Sequence, residues 1–283
     1  MPHPVTRRGV IAGLSACFAT PASADASALA SLERRHGGRL GVFAVDAGSG
    51  RSLACRADER FLLCSTFKML AVAAVLERVD AGRERLERSV RYARTDLLEY
   101  APVTRAHVAQ GALSVAALCR AAVEVSDNTA ANLLLASLGG PEDVTCFIRR
   151  RLGDPVTRLD RNEPSANQPA GVMDTTTPRA MAHCARAILL ERALAPASRG
   201  QLERWMVAST PGLERLRAGV PRTWRVGDKS GTGDAATNDV AIMRPPRRPA
   251  LIVAAYYEAP DLREATREAV LRQVGSIVAR WAA

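Results

Sequence analysis

Cys64-Ser65-Thr66-Phe67-Lys68 stands where the apolar run Phe61-Leu62-Leu63 gives way to a helical pattern, Thr66 to Arg78. Ser65 is therefore expected in the first turn of a helix, with Lys68 three residues on along the same face. A helix N-terminus offers unpaired N–H groups and a partial positive charge. A serine there suits nucleophilic attack, because developing negative charge is stabilised. A lysine one turn away, if desolvated, can lose its proton and act as a base. Taken alone, S-x-x-K is common, and the better reading of the pentapeptide is a helix cap followed by a solvated lysine.

Composition shifts that balance. Of 39 basic residues only Lys68 and Lys229 are lysines. Arginine does every solvated or ion-pairing job but does not release its proton near neutral pH. The two positions that are lysine each lie in a Ser- or Gly-containing motif, which marks both for chemistry.

The chain has 283 residues, enough for one large domain or two small ones with a real core. An apolar fraction of 47% with 24% charge places it among ordinary globular proteins, and 4% aromatics implies a Leu/Val/Ala-rich core. The net charge is +10; residues 1–24 carry Arg7, Arg8 and no acid, so without them it is +8. The arginines are scattered, with short clusters at Arg149-Arg150-Arg151 and Arg247-Arg248. That describes a solvated basic surface, and no nucleic-acid partner is expected.

Residues 1–24 read as an export signal: Arg7-Arg8, a short apolar segment from Gly9 to Ala19, then the A-x-A site Ala22-Ser23-Ala24. Thr6 to Ile11 resembles a twin-arginine signal. The expected location is periplasmic or secreted. Leu14-Ser15-Ala16-Cys17 also resembles a lipobox, which would make Cys17 a lipid anchor; free secretion is the preferred reading. Cleavage would leave Cys55, Cys64, Cys119, Cys146 and Cys184, an odd and irregular set that is no disulfide framework. The four histidines are isolated, and neither a metal site nor a cofactor is expected.

Along the chain, Asp25–His36 reads as a helix, and Arg39–Asp46 with Arg51–Arg56 as a hairpin. Helices are expected over Ser65–Val79, Ser114–Glu124, Asp127–Leu138, Pro141–Leu152, Pro178–Ala193 and Gln201–Ala208. A long irregular stretch rich in Pro, Asn, Asp and Gly fills 153–177; in a compact domain such a loop is usually functional. Trp224–Ser230, Asn238–Met243 and Leu251–Tyr257 read as strands, and Asp261–Trp281 as a closing helix. The expected organisation is an α/β layer from 25–58 and 209–283 with an all-helical insertion, 59–208.

Three further stretches fall at element boundaries. Ser126-Asp127-Asn128 lies between two helices, Glu163 in the long loop, and Lys229-Ser230-Gly231-Thr232-Gly233 at a strand end. Singly, each is well explained as a cap, a solvated carboxylate or a turn. Taken in order, S-x-x-K, S-D-N, a loop glutamate and K-[ST]-G resemble the motif set of class A serine β-lactamases over nearly the whole mature chain.

The resemblance implies an α+β fold, mainly an antiparallel sheet flanked by N- and C-terminal helices, and a monomer acting on small β-lactams. It implies Ser65 as nucleophile, with Lys68 or Glu163 as the base for acylation. The N–H groups of Ser65 and Thr232 would form the oxyanion hole, and Ser126 would protonate the departing nitrogen. Lys229, with Ser230, Gly231 and Thr232, would line the carboxylate site. Asn128 would bind the side-chain amide, Glu163 with Asn167 would hold the hydrolytic water, and Tyr100 would wall the cleft.

Some positions depart from the family. Asn238 stands where many members carry a carboxylate-binding arginine, and Arg215 matches the place from which others supply it. The loop from Asn167 to Asp174 is shorter than the common pattern, and Ala166 replaces a larger apolar residue. Cys64 resembles the cysteine of carbapenem-hydrolysing members, but Gly233 stands where their partner cysteine would be. Cys119 likewise lacks the partner found in other members, since that position is Val72. Both thiols are expected to be free. A penicillin-binding D,D-peptidase and a β-lactam sensor domain share part of the pattern, and Glu163 argues against each. Repeated turnover of a chromogenic cephalosporin distinguishes the hydrolase from slow peptide cleavage or a single stoichiometric burst.

Overall fold

The computed structural model describes Met1 and residues 24–283. The export-signal and Cys17 readings lie outside the described residues. The chain begins with α1 (Ala24–His36), β1 (Arg39–Asp46) and β2 (Ser52–Cys55), then β3 (Phe61–Leu62) and α2 (Phe67–Asp80). The middle comprises β4 (Ser89–Arg91), α3 (Pro102–Ala106), β5 (Ala112–Ser114), α4 (Val115–Glu124), α5 (Asn128–Leu138), α6 (Pro141–Arg151), β6 (Thr175–Thr176), α7 (Pro178–Leu189) and α8 (Pro196–Val207). It closes with β7 (Arg225–Thr232), β8 (Ala236–Arg244), β9 (Leu251–Glu258) and α9 (Glu264–Trp281).

Strands from both chain ends form one antiparallel sheet in the order β2-β1-β9-β8-β7. The central strands are apolar on both faces because both are covered. On one face Leu29 and Leu32 of α1 and Val270, Leu271 and Val274 of α9 pack on Leu40, Val42 and Val253. The other presents Phe43, Val240, Ile252 and Tyr256 to a larger core built around Leu70, Leu134 and Met181. Helix α2 runs through that core and is buried from Phe67 to Leu76. Its apolar residues point all round, as a central helix requires. Lys68 is the one charged residue in that buried stretch.

Several boundaries differ from the sequence reading. Ser65 lies in a single 3₁₀ turn, Cys64–Thr66, that leads into α2. Helix α8 begins at Pro196, a residue suited to the first helical position, five residues before the expected start at Gln201. Helix α7 ends at Leu189 rather than Ala193. The two-residue strands β3 and β6 are too short to leave a periodic signal, yet they tie the segment before Ser65 to the end of the long loop.

That loop is braced internally. The Arg161 guanidinium pairs with Asp174 at 2.6 Å, and the other Asp174 oxygen accepts from the N–H groups of Asp160 and Arg161. Asp160 in turn accepts from the Asp174 N–H at 2.9 Å. Leu63 N–H donates to the Asp174 carbonyl, which fixes the loop's end beside the turn that carries Ser65.

Candidate active site

Ser65, Ser126, Asn128, Asn167, Ser230, Thr232 and Tyr100 line one cleft of about 380 Å³ between the helical region and the β7 edge of the sheet. Ser65 reaches it from the 3₁₀ turn, where Cys64 has a left-handed backbone (φ 44°). Strand β7 passes very close to this turn. A Cβ built on Gly231 would stand 3.0 Å from the Leu63 carbonyl and 3.2 Å from the Ser65 nitrogen. The glycine of K-S-G is thus what lets the strand and the Ser65 turn meet.

The two lysines meet at Ser126. Lys68 Nζ donates to Ser126 Oγ at 3.2 Å and Lys229 Nζ to the same oxygen at 3.1 Å. Lys68 also contacts the Ser126 carbonyl at 2.8 Å, Asn128 Oδ1 at 2.5 Å and Glu163 Oε1 at 3.1 Å. Both ammonium groups are fully buried. Burial pushes the Lys68 ammonium below its ordinary value, and Glu163 opposes that shift. Burial, then the charge of Lys68, push Lys229 well below its own, against Asp228 and Asp239.

Ser126 sits in the left-handed region (φ 60°) in the turn between α4 and α5. Asp127 holds that turn: it caps α5 through Ala130 N–H and accepts from the N–H groups of Val103 and Thr104. Ser65 Oγ donates to Glu163 Oε1 at 3.2 Å, and Asn167 Nδ2 donates to Glu163 Oε2 at 2.5 Å. The buried Asn167 Oδ1 has no protein partner among the described residues. Ala166 is packed into the main core beneath them.

Asn132, one helical turn after Asn128, is a site residue the sequence reading missed. Its Oδ1 accepts from Glu163 N–H at 3.0 Å and its Nδ2 donates to the Glu163 carbonyl at 2.9 Å, clamping the loop backbone. The i, i+4 spacing from Asn128 was the available signal. Asp228 and Asp239 were also missed. Burial raises both carboxyls, and Arg217 counters it at Asp228. No residue spacing marks that pair.

Arg215 differs from its expected setting. Its side chain is buried beneath the cleft floor, with NH1 donating to the carbonyls of Gly231 and Asn238, both at 2.9 Å. Nε faces Glu268 at 3.2 Å, and NH2 alone reaches the cleft, at Thr232 Oγ1 (2.7 Å) and Glu264 (3.1 Å). A bidentate grip on a ligand is therefore not available to it. Asn238 turns away from the cleft, and its Nδ2 donates to the Leu62 and Leu63 carbonyls. Cys64 and Cys119 are buried free thiols; burial pushes the Cys64 thiol up to about 12, which leaves it inert beside Ser65.

The description "Beta-lactamase enzyme family" fits residues 25–282 as one continuous match. The chain belongs to the beta-lactamase enzyme family. It is 44% identical to beta-lactamase CTX-M-8 of Citrobacter amalonaticus over 253 residues, covering 88% of this chain and 86% of that protein. Toho-1 of Escherichia coli is 41% identical over 267 residues, 93% of this chain and 91% of its own length. Among solved structures, a beta lactamase from Burkholderia vietnamiensis superposes with a TM-score of 0.90 at 56% identity, covering 92% of this chain and 97% of that one. The ancestral GNCA class A enzyme gives 0.88 at 52%, over 91% and 99%. The fold and the order of its elements are those of class A.

Proposed function

We propose that this chain is a class A serine β-lactamase that hydrolyses the lactam amide of penicillins and cephalosporins through an acyl-enzyme on Ser65, and so confers resistance to them. The observation that carries the reading is the convergence on Ser126 Oγ of the chain's only two lysines, beside a Ser65 hydroxyl already bonded to a buried carboxylate.

Ser65 Oγ attacks the lactam carbonyl, and its proton passes to Glu163 Oε1, or to Lys68 when that amine is neutral. The N–H groups of Ser65 and Thr232 hold the developing oxyanion. Ser126 then protonates the departing nitrogen. Both lone pairs of its oxygen face lysine donors, so its own proton is left to point into the cleft. The same ammonium groups stabilise the oxygen once the proton has left. Asn128 binds the side-chain amide, and Tyr100 walls the cleft. Glu163 activates water for deacylation. The unpartnered Asn167 Oδ1 supports this step, because a water donating to it and to the Glu163 carboxylate is oriented by two acceptors.

Lys229, Ser230 and Thr232 receive the substrate carboxylate, with Arg215 adding charge through NH2 and through Thr232 Oγ1. Arg215→Ala is expected to lower kcat/KM for a penicillin about tenfold, the loss of one charge-assisted bond. It should lower the urea midpoint as well, because Gly231 and Asn238 carbonyls lose their donor. An unchanged kcat/KM in a folded variant would remove Arg215 from substrate binding. Installing Asn238→Arg beside it is not expected to restore activity, since Asn238 secures the backbone ahead of Ser65.

The reading includes a cleft between a sheet unit (25–58 and 209–283) and a helical unit (59–208), although α7 packs directly on the sheet. It also includes a monomer exported through residues 1–24, to the periplasm or beyond. No helix among the described residues is long and apolar enough to cross a membrane. Repeated turnover of a chromogenic cephalosporin tests the function. A burst of one equivalent, or no colour change, would reject it.

A further inference from the structure

Glu264, the first residue of α9, extends into the catalytic cleft and shares its lining with Ser65, Ser126, Ser230 and Thr232. Its Oε1 accepts from Arg215 NH2 at 3.1 Å and from Thr232 Oγ1 at 3.3 Å. Those are two of the donors available to an anionic ligand on this side of the cleft. The remaining Arg215 groups are turned inward, to Gly231, Asn238 and Glu268. A protein carboxylate thus sits on the one guanidinium nitrogen that an incoming carboxylate can reach.

The charge balance points the same way. Arg215 contributes +1, and Glu264 and Glu268 contribute −1 each, so the trio sums to −1. The Glu264 side chain is 51% exposed while Arg215 is 2% exposed, so the glutamate can rotate into water and the arginine stays. A half-exposed pair of this kind is weak and readily broken.

We propose that Glu264 is a specificity-determining residue whose carboxylate occupies the place of the substrate carboxylate on Arg215 and Thr232, and must leave before an anionic β-lactam docks. The inference rests on reading the cleft as a β-lactam site. It assigns Glu264 the opposite role from a residue that steadies Arg215 for binding, or one that merely favours the N-terminus of α9 through its charge.

Glu264→Gln tests the proposal, because it keeps an acceptor and removes the charge. KM for a penicillin is expected to fall by about two- to fivefold, the range of a half-exposed charge pair, with the change in KM rather than kcat. The difference should shrink at high salt. Equilibrium binding to Ser65→Ala, with and without Glu264→Gln, provides a second readout. Affinity for the penicillin should rise, and affinity for its methyl ester should not. An unchanged or raised KM overturns the proposal, as does an equal gain for acid and ester. Absence of penicillin turnover by the unaltered chain would remove the underlying reading and this inference with it. Glu264→Ala, which removes charge and acceptor together, should shift KM in the same direction as Glu264→Gln; a rise would instead assign Glu264 to holding Arg215 in place.

Discussion

Glu163→Ala, mixed with a penicillin and sampled by mass spectrometry, is expected to hold a stable adduct of one antibiotic per chain, whereas Ser65→Ala forms none. The proposed function gives Glu163 two tasks that differ in how replaceable it is. In acylation it accepts from Ser65 Oγ at 3.2 Å, but Lys68 Nζ shares the same oxygen at 3.1 Å and offers a second base. Removing Glu163 takes away the charge that opposes Lys68's depressed value, so the lysine becomes neutral more easily. Acylation should slow yet continue. On the proposed reading, the deacylating water would be oriented by Glu163 and Asn167, with Glu163 as its base. Release should slow by about a thousandfold, within the usual reach of general base catalysis. Rapid return of free Glu163→Ala enzyme would place the deacylation base elsewhere.

The parts of this site that were legible in the sequence are those that chemistry confines to an element boundary. Ser65 lies in the 3₁₀ turn that leads into α2, Ser126 fills a turn, Glu163 lies in a loop and Lys229 lies within β7 just ahead of Ser230-Gly231, so each left a local mark. The restriction of lysine to two positions was a second mark, and the shared contact at Ser126 Oγ gives it a physical basis. What stayed hidden depends on packing between segments distant in sequence. The resemblance singled out Arg215, but its inward setting emerges only when strands β7 and β8 are laid over it. The direction of Asn238 follows from the register Gly231↔Asn238, which no spacing reveals. Glu264 reaches the cleft only because α9 packs against the sheet and its first turn ends beside Thr232. The pairing of Phe61-Leu62 with Thr175-Thr176 at the end of the 153–177 loop was hidden for another reason: strands of two residues have no period.

Lys68→Arg is expected to lose acylation by about a thousandfold or more, while Lys229→Arg keeps a measurable part of it. Both positions are fully buried and both amines are pushed down by desolvation, but their partners differ. Lys68 lies among Ser126, Asn128 and Glu163, and on the proposed reading it carries protons from Ser65 back to Ser126. An arginine there keeps the charge but cannot take a proton up and give it back. Lys229 touches Ser126 Oγ and the Ser230 carbonyl within β7, where a fixed cation would still stabilise the serine oxygen and, on the proposed reading, attract a carboxylate. The guanidinium is also larger, and overpacking costs about 1–3 kcal/mol, so a urea midpoint must accompany each rate. Lys68→Ala supplies the control for size. Adding a small primary amine should restore part of its acylation, with the rescue increasing with pH as the free base of that amine appears. Near-normal acylation in folded Lys68→Arg would show that the lysine contributes charge alone. Rescue of Lys68→Ala that ignores the amine's protonation state would point to the same conclusion.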